Sequence, residues 1–517
     1  MFRAGSVRVF VLAVLIAGCG FGRCWAVERD VLNAALETIT AADLQQHVNV
    51  LADDTFEGRA AGSRGGRAAG GYLASQFERA GLRGRGDAGG YFQTFGVYRN
   101  LLGTLEGSDP ELKQQFIVIG AHYDHVGYGT SRNSYGPTGY IHNGADDNAS
   151  GTAALLELVD AFTKLPTAPK RSMLFASWDG EEVGLLGSKH WVANPTVPRD
   201  RVAFAFNADM LGRLRNNKVE VYGSRTGRGL RQLVSRHNRD AGLDLDFTWE
   251  LTANSDHFSF VTANIPVLML FTGLHEDYHR PSDDADKINA AGMQQLTRLL
   301  FLLANEVADG PRVTEFRSAA RGETPFARQQ FEQPLPPPAP RCGVLWERRG
   351  EPADSIVLTQ VDRGSAADVG GLRVGDRILQ FAGQPVADDD RFRIDVLSAR
   401  EPVAVLVQPA NQAEPTTVIV RLNGDPVRVG VSWREDSAEP GTLLVTQVTP
   451  GSAAHQAGLR ERDRIYEVAG RTFQNGDEFR QLVTTLPAPL ELLVERRGRL
   501  QTMSLHVPPL ASQKTGD

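Results

Sequence analysis

The feature that most constrains this chain is a set of apolar runs, each followed closely by histidine or carboxylate residues. The clearest cases are residues 116–119 before His122, residues 173–178 before Glu181 and Glu182, and residues 202–206 before Asp209. Runs of this kind are typical of buried parallel strands. Ligands of an open α/β sheet bind outside the carboxyl ends of its strands, so these polar side chains should converge in one crevice. The pattern predicts an α/β domain with a mostly parallel central sheet flanked by helices.

Five polar residues in this part of the chain are metal-type ligands, namely His122, Asp146, Glu182, Asp209 and His279. Imidazole nitrogen together with carboxylate oxygen suits zinc, and a carboxylate that bridges two ions permits a pair roughly 3.5–4 Å apart. Without cations the carboxylates would repel one another, so ion binding should order these loops. Glu181 is left over. A carboxylate beside a metal-bound water is the usual general base of hydrolysis.

These motifs resemble those of the di-zinc exopeptidase family that contains the bacterial leucyl aminopeptidases and, more distantly, glutamate carboxypeptidase II and the glutaminyl cyclases. The resemblance spans residues 44–305 and includes the segment 56–63. It implies a zinc-exopeptidase fold of the phosphorylase/hydrolase-like type, two Zn²⁺ per chain, and attack by a metal-bridged hydroxide. The implied roles are His122 and Asp209 for one ion, Glu182 and His279 for the other, Asp146 as the bridge, and Glu181 as the general base.

The same resemblance implies residues that support the ligands. Asp124 resembles the carboxylate that accepts the imidazole N–H of His122 and fixes its tautomer. Asp283 would do the same for the second histidine ligand. A cis peptide between Asp146 and Asp147 is also implied, which is unusual for a bond that does not precede proline.

Other polar residues of the region are interpreted as structural or surface residues, since a lone histidine after a strand is more often structural than a ligand. They are Asp147, His125, His142, His190, His257 and His275. For Asp256 and His257 a position near the substrate cleft is the alternative to packing.

The direction of cleavage is argued from the residues beside the ligands. An aminopeptidase needs carboxylates near a free α-amino group and an apolar pocket for the first side chain, and Met210 and Phe258 suit such a pocket. A carboxypeptidase needs cations for a free or acidic terminus, and Arg213 and Arg280 lie near ligands in the sequence. We predict an aminopeptidase, with carboxypeptidase activity as the alternative. Glutaminyl cyclase chemistry uses a single zinc, which the five-ligand set disfavours.

The amino terminus has the pattern of an export signal. Basic residues precede an apolar run over residues 9–17, and a helix of that length rises only about 14 Å, too little to cross a hydrocarbon core of about 30 Å. Residues 1–26 are therefore interpreted as a secretory signal peptide. The run ends in a bacterial lipobox pattern at Cys19, which makes lipidation of that cysteine one prediction and ordinary cleavage after Ala26 the alternative. Both predict an exported protein that is periplasmic, lipid-anchored or secreted.

The carboxy-terminal part contains an internal repeat, because residues 364–379 align with residues 451–466. The two copies resemble tandem PDZ domains of the bacterial protease type. A Pro-rich stretch before them favours an extended spacer. The predicted order is 1–26 signal peptide, 28–309 peptidase domain, 310–341 linker, 342–423 and 426–508 PDZ domains, and 509–517 tail.

A PDZ domain adds an extended peptide to a sheet edge and captures its terminal carboxylate on loop N–H groups. The matching loops here are Gly343-Val344 and Gly430-Val431. Their predicted partners are protein carboxyl termini or extended peptides, and a role as spacer or packing surface is the alternative.

Composition excludes some classes of function. The 517 residues carry a formal net charge of −7 and no long basic run, so nothing favours nucleic-acid binding. The 3 cysteines are too few for a disulfide framework. We therefore predict an exported metallo-exopeptidase that acts on peptides, and contact with a membrane only through the signal or a lipid anchor. The competing class is a peptide-binding scaffold with an inactive peptidase fold, which would require that a ligand or the base be missing.

Overall fold

The computed structural model describes residues 30–336, 339–348, 355–386 and 388–507. The chain divides into two compact units, Met1–Gly227 with Asp246–Ser318, and Arg228–Leu245 with Ala319–Asp517. The predicted signal peptide, including Cys19, and the predicted tail lie outside the described residues. Within the described ranges, no helix combines the length and apolarity that a membrane crossing needs.

The first unit is built on a nine-stranded sheet. Its strands are β1 Arg83–Gly84, β2 Phe92–Phe95, β3 Tyr98–Leu105, β4 Phe116–His122, β5 Ser172–Trp178, β6 Val202–Ala208, β7 Lys218–Tyr222, β8 Asp244–Phe247 and β9 Val267–Phe271. The strand order is β1-β3-β5-β4-β6-β9-β7-β8, with β2 paired to β3. The four central strands β5, β4, β6 and β9 are parallel, whereas β3 and β7 join them antiparallel. The predicted parallel sheet is thus present at its centre, and the sheet as a whole is mixed.

Helices follow or flank these strands and continue into the second unit. Residues 30–38 are helical. The helices after them are α1 Ala41–Leu51, α2 Arg64–Arg79, α3 Gly151–Thr163, α4 Leu186–Ala193, α5 Leu230–Ala241, α6 His257–Thr262, α7 Ala290–Asp309, α8 Pro325–Phe331, α9 Ala366–Val369, α10 Asp389–Ser398, α11 Ala453–Gln456 and α12 Gly476–Thr485. Short 3₁₀ turns occupy Asp54–Arg59, Asp87–Gly89, Leu112–Gln114, Arg199–Arg201, Ala285–Lys287 and Ser318–Gly322. Helix α8 begins after the N-cap Thr324, so the predicted linker 310–341 contains a helix.

Helix α3 anchors the loop that precedes it. Its residues from Gly151 to Phe162 are buried apart from Asp160, and it packs against α1, α7 and β4. Because neighbours cover it on several sides, the helix is apolar nearly all round rather than along one stripe. Each fully buried leucine contributes about 1.5–3 kcal/mol. The turn at Ala145–Ser150 is therefore attached to a helix that is buried along most of its length.

The second unit contains two antiparallel sheets, each with its own hydrophobic core. The first consists of β10 Val344–Arg348, β11 Ile356–Val361, β12 Arg377–Phe381, β13 Gln384–Pro385, β14 Val403–Gln408 and β15 Thr416–Val420. The second consists of β16 Val431–Glu435, β17 Leu443–Val448, β18 Arg464–Val468, β19 Leu490–Arg496 and β20 Arg499–Leu505. The repeat seen in the sequence thus forms two small, mainly β domains, as predicted.

Helix α5 belongs to the second unit although it precedes β8 in the sequence. It packs against β20. The guanidinium of Arg231 binds Glu495 through Nε to Oε2 at 2.8 Å and Nη2 to Oε1 at 3.0 Å. The buried carboxylate of Glu439 accepts the backbone N–H of Arg231 at 3.0 Å and of Gln232 at 3.2 Å. A carboxylate at this end complements both the free N–H groups and the helix dipole.

Candidate metal centre

Two groups of potential metal ligands lie at the carboxyl edge of the central strands. The first comprises His125, Asp147, Glu182 and His279, and the second comprises His122, Glu181 and Asp209. Within each group the ligand atoms lie within 4.8 Å of one another. The side chains come from the end of β4 and from segments that follow β5, β6 and β9, as the strand-end pattern predicts.

Asp147 joins the two groups. Its Oδ1 lies 3.4 Å from Nε2 of His122, and its Oδ2 lies 3.1 Å from Nε2 of His279. On one side, Nε2 of His122 is also 3.5 Å from Oδ1 of Asp209. On the other, Nε2 of His279 is 3.1 Å from Oε2 of Glu182. One carboxylate thus presents an oxygen to each of two neighbouring sets of ligands.

These separations fit zinc. A tetrahedral ion with bonds of about 2.0–2.1 Å places neighbouring ligand atoms about 3.3–3.4 Å apart, and the observed distances of 3.1–3.5 Å bracket that value. Oδ1 of Asp209 and Nε2 of His279 are buried, and no hydrogen bond of proper geometry satisfies them within the described part of the chain. Buried polar atoms are rarely left unsatisfied, so atoms of this kind point to a ligand. The structure thus brings four of the five predicted ligands together in these two groups, namely His122, Glu182, Asp209 and His279.

The structure places the fifth predicted ligand, Asp146, outside both groups, with its Oδ2 3.2 Å from Nε2 of His275. Oδ1 of Asp146 accepts the backbone N–H of Gly212 at 2.6 Å and the hydroxyl of Ser150 at 3.0 Å, and Asp146 belongs to neither ligand group. The side chain of Asp147, interpreted from the sequence as structural, is the one that faces both groups. The cis peptide likewise joins Asp147 to Asn148 rather than Asp146 to Asp147.

The supporting contacts also differ from those predicted. Nδ1 of His122 lies 3.2 Å from the backbone oxygen of Asp124 and 3.8 Å from its carboxylate. The Asp124 carboxylate instead accepts the backbone N–H groups of Glu181 at 3.1 Å and Glu182 at 3.3 Å. It thus orients the predicted base and its neighbour rather than the imidazole.

Asp283 acts in a comparable way. Its Oδ2 accepts the backbone N–H groups of Asp146 at 2.9 Å and Asp147 at 3.1 Å. The predicted contact with His279 is wrong, because Nδ1 of that histidine faces the carbonyl oxygen of Asn133 at 2.8 Å. A carbonyl acceptor on Nδ1 leaves Nε2 free to bind a metal.

Two residues near the ligands were not singled out from the sequence. Nδ1 of the buried His125 lies 2.8 Å from Oε1 of Glu182, so this imidazole orients a ligand instead of being merely structural. Arg59 is fully buried, and its side chain reaches the loop that carries Asp147. The only sequence signal for Arg59 is its position in the segment 56–63, which resembles the family.

The electrostatics of the centre reflect its buried charges. Burial raises the pKa of the Glu181 carboxyl well above its usual range, against the opposing effect of His122. Burial lowers the pKa of the His279 imidazole, but the carboxylates of Asp147 and Glu182 outweigh it and raise that pKa to about 11. A divalent cation at this position competes with such protons, so metal affinity here depends on pH.

The predicted substrate residues fall into two different hydrophobic clusters. Met210, with φ of 51°, is buried with Tyr222, Met269 and Phe271, and Tyr278 packs at the edge of that cluster. The Tyr278 ring stacks on the ligand His279, with centroids 4.0 Å apart. Partly buried Phe258 packs instead against a cluster that includes Trp178 and Trp191. The two predicted pocket residues thus do not share one cluster.

The predicted peptide-binding loops have matching conformations in the two small domains. Gly343 has φ of 75° and Gly430 has φ of 87°. A Cβ atom would lie 2.3 Å from Cβ of Ser365 in the first loop and 2.1 Å from Cβ of Ser452 in the second. Val344 is the first residue of β10 and Val431 is the first residue of β16. Each of these strands lies at an edge of its sheet.

Comparison with known proteins assigns these parts to families. Residues 100–304 match the model of peptidase family M28, and residues 357–408 and 444–496 match that of the PDZ domain. The chain is 28% identical over 305 residues to leupeptin-inactivating enzyme 1 of Streptomyces exfoliatus, covering 57% of this chain and 63% of that protein. It is 30% identical over 189 residues to aminopeptidase YwaD of Bacillus subtilis, covering 35% and 38%.

Solved structures show a comparable match. The LapA aminopeptidase of Legionella pneumophila aligns with a TM-score of 0.46 and 25% identity, covering 55% of this chain and 76% of that one. Residues 100–304 thus match peptidase family M28, and the two stretches that match the PDZ domain follow them in the sequence. The chain spans less than two thirds of the length of these two curated relatives.

Proposed function

We propose that the chain is a di-zinc aminopeptidase that removes residues from the amino terminus of peptides. The observation that carries this proposal is the position of Asp147, whose two oxygens face two separate sets of buried ligands. An oxygen to each side is what a carboxylate shared by two metal ions requires, and paired ions are the arrangement that aminopeptidases use. A relative named as an aminopeptidase supports the same choice.

In this proposal the side chains have distinct roles. The ligands are His122 and Asp209 on one side, Glu182 and His279 on the other, and Asp147 between them. Bound zinc would supply Lewis acidity, polarising the scissile carbonyl and lowering the pKa of a water. Glu181 takes a proton from the attacking water and delivers it to the leaving amine, which is the usual role of a carboxylate beside a metal-bound water.

A specific contact favours aminopeptidase over carboxypeptidase activity. The Nη2 atom of Arg213 lies 2.8 Å from Oδ2 of Asp277 and 3.2 Å from Oδ1 of Asp283. Asp277 and Asp283 thus neutralise Arg213, which was one of the two arginines considered for binding a substrate carboxylate. The carboxylates around the centre are better suited to a free α-ammonium group.

The experiment compares an aminoacyl arylamide with its N-acetylated form, before and after removal of zinc by a chelator. We expect hydrolysis of the free form only, loss of activity in the zinc-free protein, and recovery when zinc is added. Equal hydrolysis of the blocked substrate would contradict aminopeptidase activity. Activity that survives complete zinc removal would contradict the metal centre.

We further propose that at least one PDZ domain binds extended peptides. The terminal strands β10 and β16 each carry a tryptophan packed on a helix, with Trp346 on Phe392 at 4.9 Å and Trp433 on Phe479 at 5.1 Å between ring centroids. A strand edge beside an aromatic wall suits strand addition. Binding of peptides with a free carboxyl terminus, and loss of binding on amidation, would support carboxylate capture; equal binding of both forms would contradict it.

Export remains part of the proposal, on the pattern of residues 1–26 alone. Fractionation of cells that produce the full chain, alongside a Cys19→Ser variant, tests it. Release of the variant from membranes into the soluble exported fraction would support a lipid anchor, and recovery of the wild-type chain in the cytoplasm would contradict export.

A further inference from the structure

Arg59 makes an unusual set of contacts for a buried side chain. It is fully buried, and a buried charge is costly unless its hydrogen-bonding groups are satisfied. All five N–H groups of its guanidinium donate to backbone carbonyl oxygens. The acceptors are Tyr123 at 3.0 Å, Leu51 at 2.7 Å, Asn143 at 2.6 Å, Gly144 at 2.9 Å and Asp147 at 3.4 Å. The planar fork of arginine can satisfy five acceptors, and lysine cannot.

Four of the five acceptors lie in segments that carry the proposed ligands, and the fifth, Leu51, is the last residue of α1. Tyr123 stands between His122 and Asp124, after β4. Asn143, Gly144 and Asp147 belong to the loop that presents the shared carboxylate. The guanidinium thus connects the strand end that carries one ligand with the loop that carries another.

Backbone hydrogen bonds also join the segment around Arg59 to the loop that follows β4. Glu57, Gly58 and Arg59 have φ of 52°, 64° and 49°, a region that residues other than glycine rarely adopt. The carbonyl of Arg59 accepts the N–H of His125 at 3.2 Å, and that of Gly58 accepts the N–H of Gly127 at 3.0 Å. Strained conformations persist where the surrounding contacts determine them, and they cluster at functional sites.

Arg59 also brings a positive charge to a region rich in carboxylates. Burial lowers its pKa to about 10, against the effect of Asp147, Asp283, Asp124 and Glu182. An arginine guanidinium stays protonated in proteins, so Arg59 reduces the repulsion among these anions.

We propose that Arg59 is a positioning residue of the metal centre, which holds the segments of His122 and Asp147 in place before zinc binds. This inference rests on the two-zinc centre of the proposed function. Arg59 is neither a ligand nor in contact with the reacting atoms, so its effect is on metal affinity through the geometry of the ligands.

The test compares Arg59→Lys with Arg171→Lys. Arg171 is a matched control, because it is also buried and donates to Oε1 of Gln115 at 2.7 Å and the carbonyl of Gly310 at 2.5 Å, away from the ligands. Zinc affinity is measured by competition with a chelator, and folding by circular dichroism. We expect about a 10–100-fold loss of zinc affinity in Arg59→Lys, the range seen when a group that supports a ligand is removed. Arg171→Lys should lower thermal stability and leave zinc affinity within about twofold of wild type.

A second measurement uses the wild-type chain and does not depend on the folding of a variant. In the zinc-free protein, the N–H groups of His125 and Gly127 should stay protected from hydrogen exchange, because the Arg59 segment already holds them. Rapid exchange there, or equal zinc affinities of the two variants, would overturn the inference. A wild-type chain that binds no zinc would instead contradict the proposed function itself.

Discussion

Replacing Asp147 or Asp146 with asparagine should show which of the two carboxylates is a metal ligand and which binds the backbone. Asp147→Asn keeps the shape of the side chain but removes the charge and one oxygen that faces a ligand set. Loss of a group that merely supports a ligand lowers metal affinity about 10–100-fold. Removing the charge of a carboxylate that faces both sets should lower metal affinity further. We therefore expect at least about a 100-fold loss of zinc affinity, or about 2.7 kcal/mol, for each ion.

Asp146→Asn should have the opposite profile. Its Oδ1 accepts from the N–H of Gly212 at 2.6 Å and the hydroxyl of Ser150 at 3.0 Å. Hydrogen bonds to a charged group contribute about 1.5–3 kcal/mol each, and asparagine retains one acceptor oxygen. We therefore expect a loss of about 1–3 kcal/mol in the free energy of unfolding with little change in zinc affinity.

The assay measures bound zinc per chain after dialysis at fixed free zinc, thermal unfolding with and without zinc, and hydrolysis of an aminoacyl arylamide. Asp147→Asn should lose zinc, lose the stabilisation by added zinc, and lose activity. Asp146→Asn should keep zinc and unfold at a lower temperature. If Asp146→Asn loses zinc while Asp147→Asn keeps both ions, the assignment of the shared carboxylate is refuted.

Three further predictions concern individual side chains. Glu181→Gln should keep both ions yet lower kcat about 10²–10⁴-fold, since base catalysis is removed. The control variant Glu182→Gln should lose zinc. A Glu181→Gln variant of near-normal kcat would show that the base is misassigned. Burial raises the pKa of Glu439 from its usual 4.5 to about 7, so the native state binds this proton more tightly and the free energy of unfolding should fall by up to about 3 kcal/mol as the pH rises from 4.5 to 7. Glu439→Gln should remove that slope in urea unfolding, and parallel profiles for variant and wild type would contradict it. Glu495→Gln should lower the free energy of unfolding by about 3–5 kcal/mol, because it leaves the buried guanidinium of Arg231 without the carboxylate of Glu495. Asp477→Asn, at the exposed pair with Arg480, should change stability little. Equal losses in the two variants would contradict the buried role of Glu495.

Strand ends are regular, so the sequence predicts at which edge of the sheet the candidate ligands lie. An apolar run sets where a parallel strand ends, and the next polar residues must lie at that edge of the sheet. His122 and Asp209 follow from this rule directly, and the resemblance adds His279. The repeat likewise predicts the two small β domains, since aligned apolar and turn residues require the same fold twice.

The sequence does not identify which of two adjacent carboxylates faces the two groups of potential ligands. Asp146 and Asp147 lie in an irregular turn, where Asp147 has φ of −102° and ψ of 99°, so no helical or strand period fixes the direction of either side chain. Contacts between distant segments decide it instead. For the same reason the roles of His125 and Arg59 are not predictable, because both depend on the pairing of residues 58–60 with residues 125–127.

In the proposed metal centre, one set of carboxylates would hold ions, and another set binds the backbone. Asp124, Asp146 and Asp283 are all fully buried, and each accepts backbone N–H groups of segments that carry ligands. Such anchors suit a cationic site, because their negative charge favours the ions while their oxygens fix the ligand segments. Both sets are buried acidic residues within the same motifs, so residue type and spacing alone cannot separate them. What separates them is the partner: both oxygens of Asp147 face other potential ligands, whereas each anchor accepts at least one backbone N–H group.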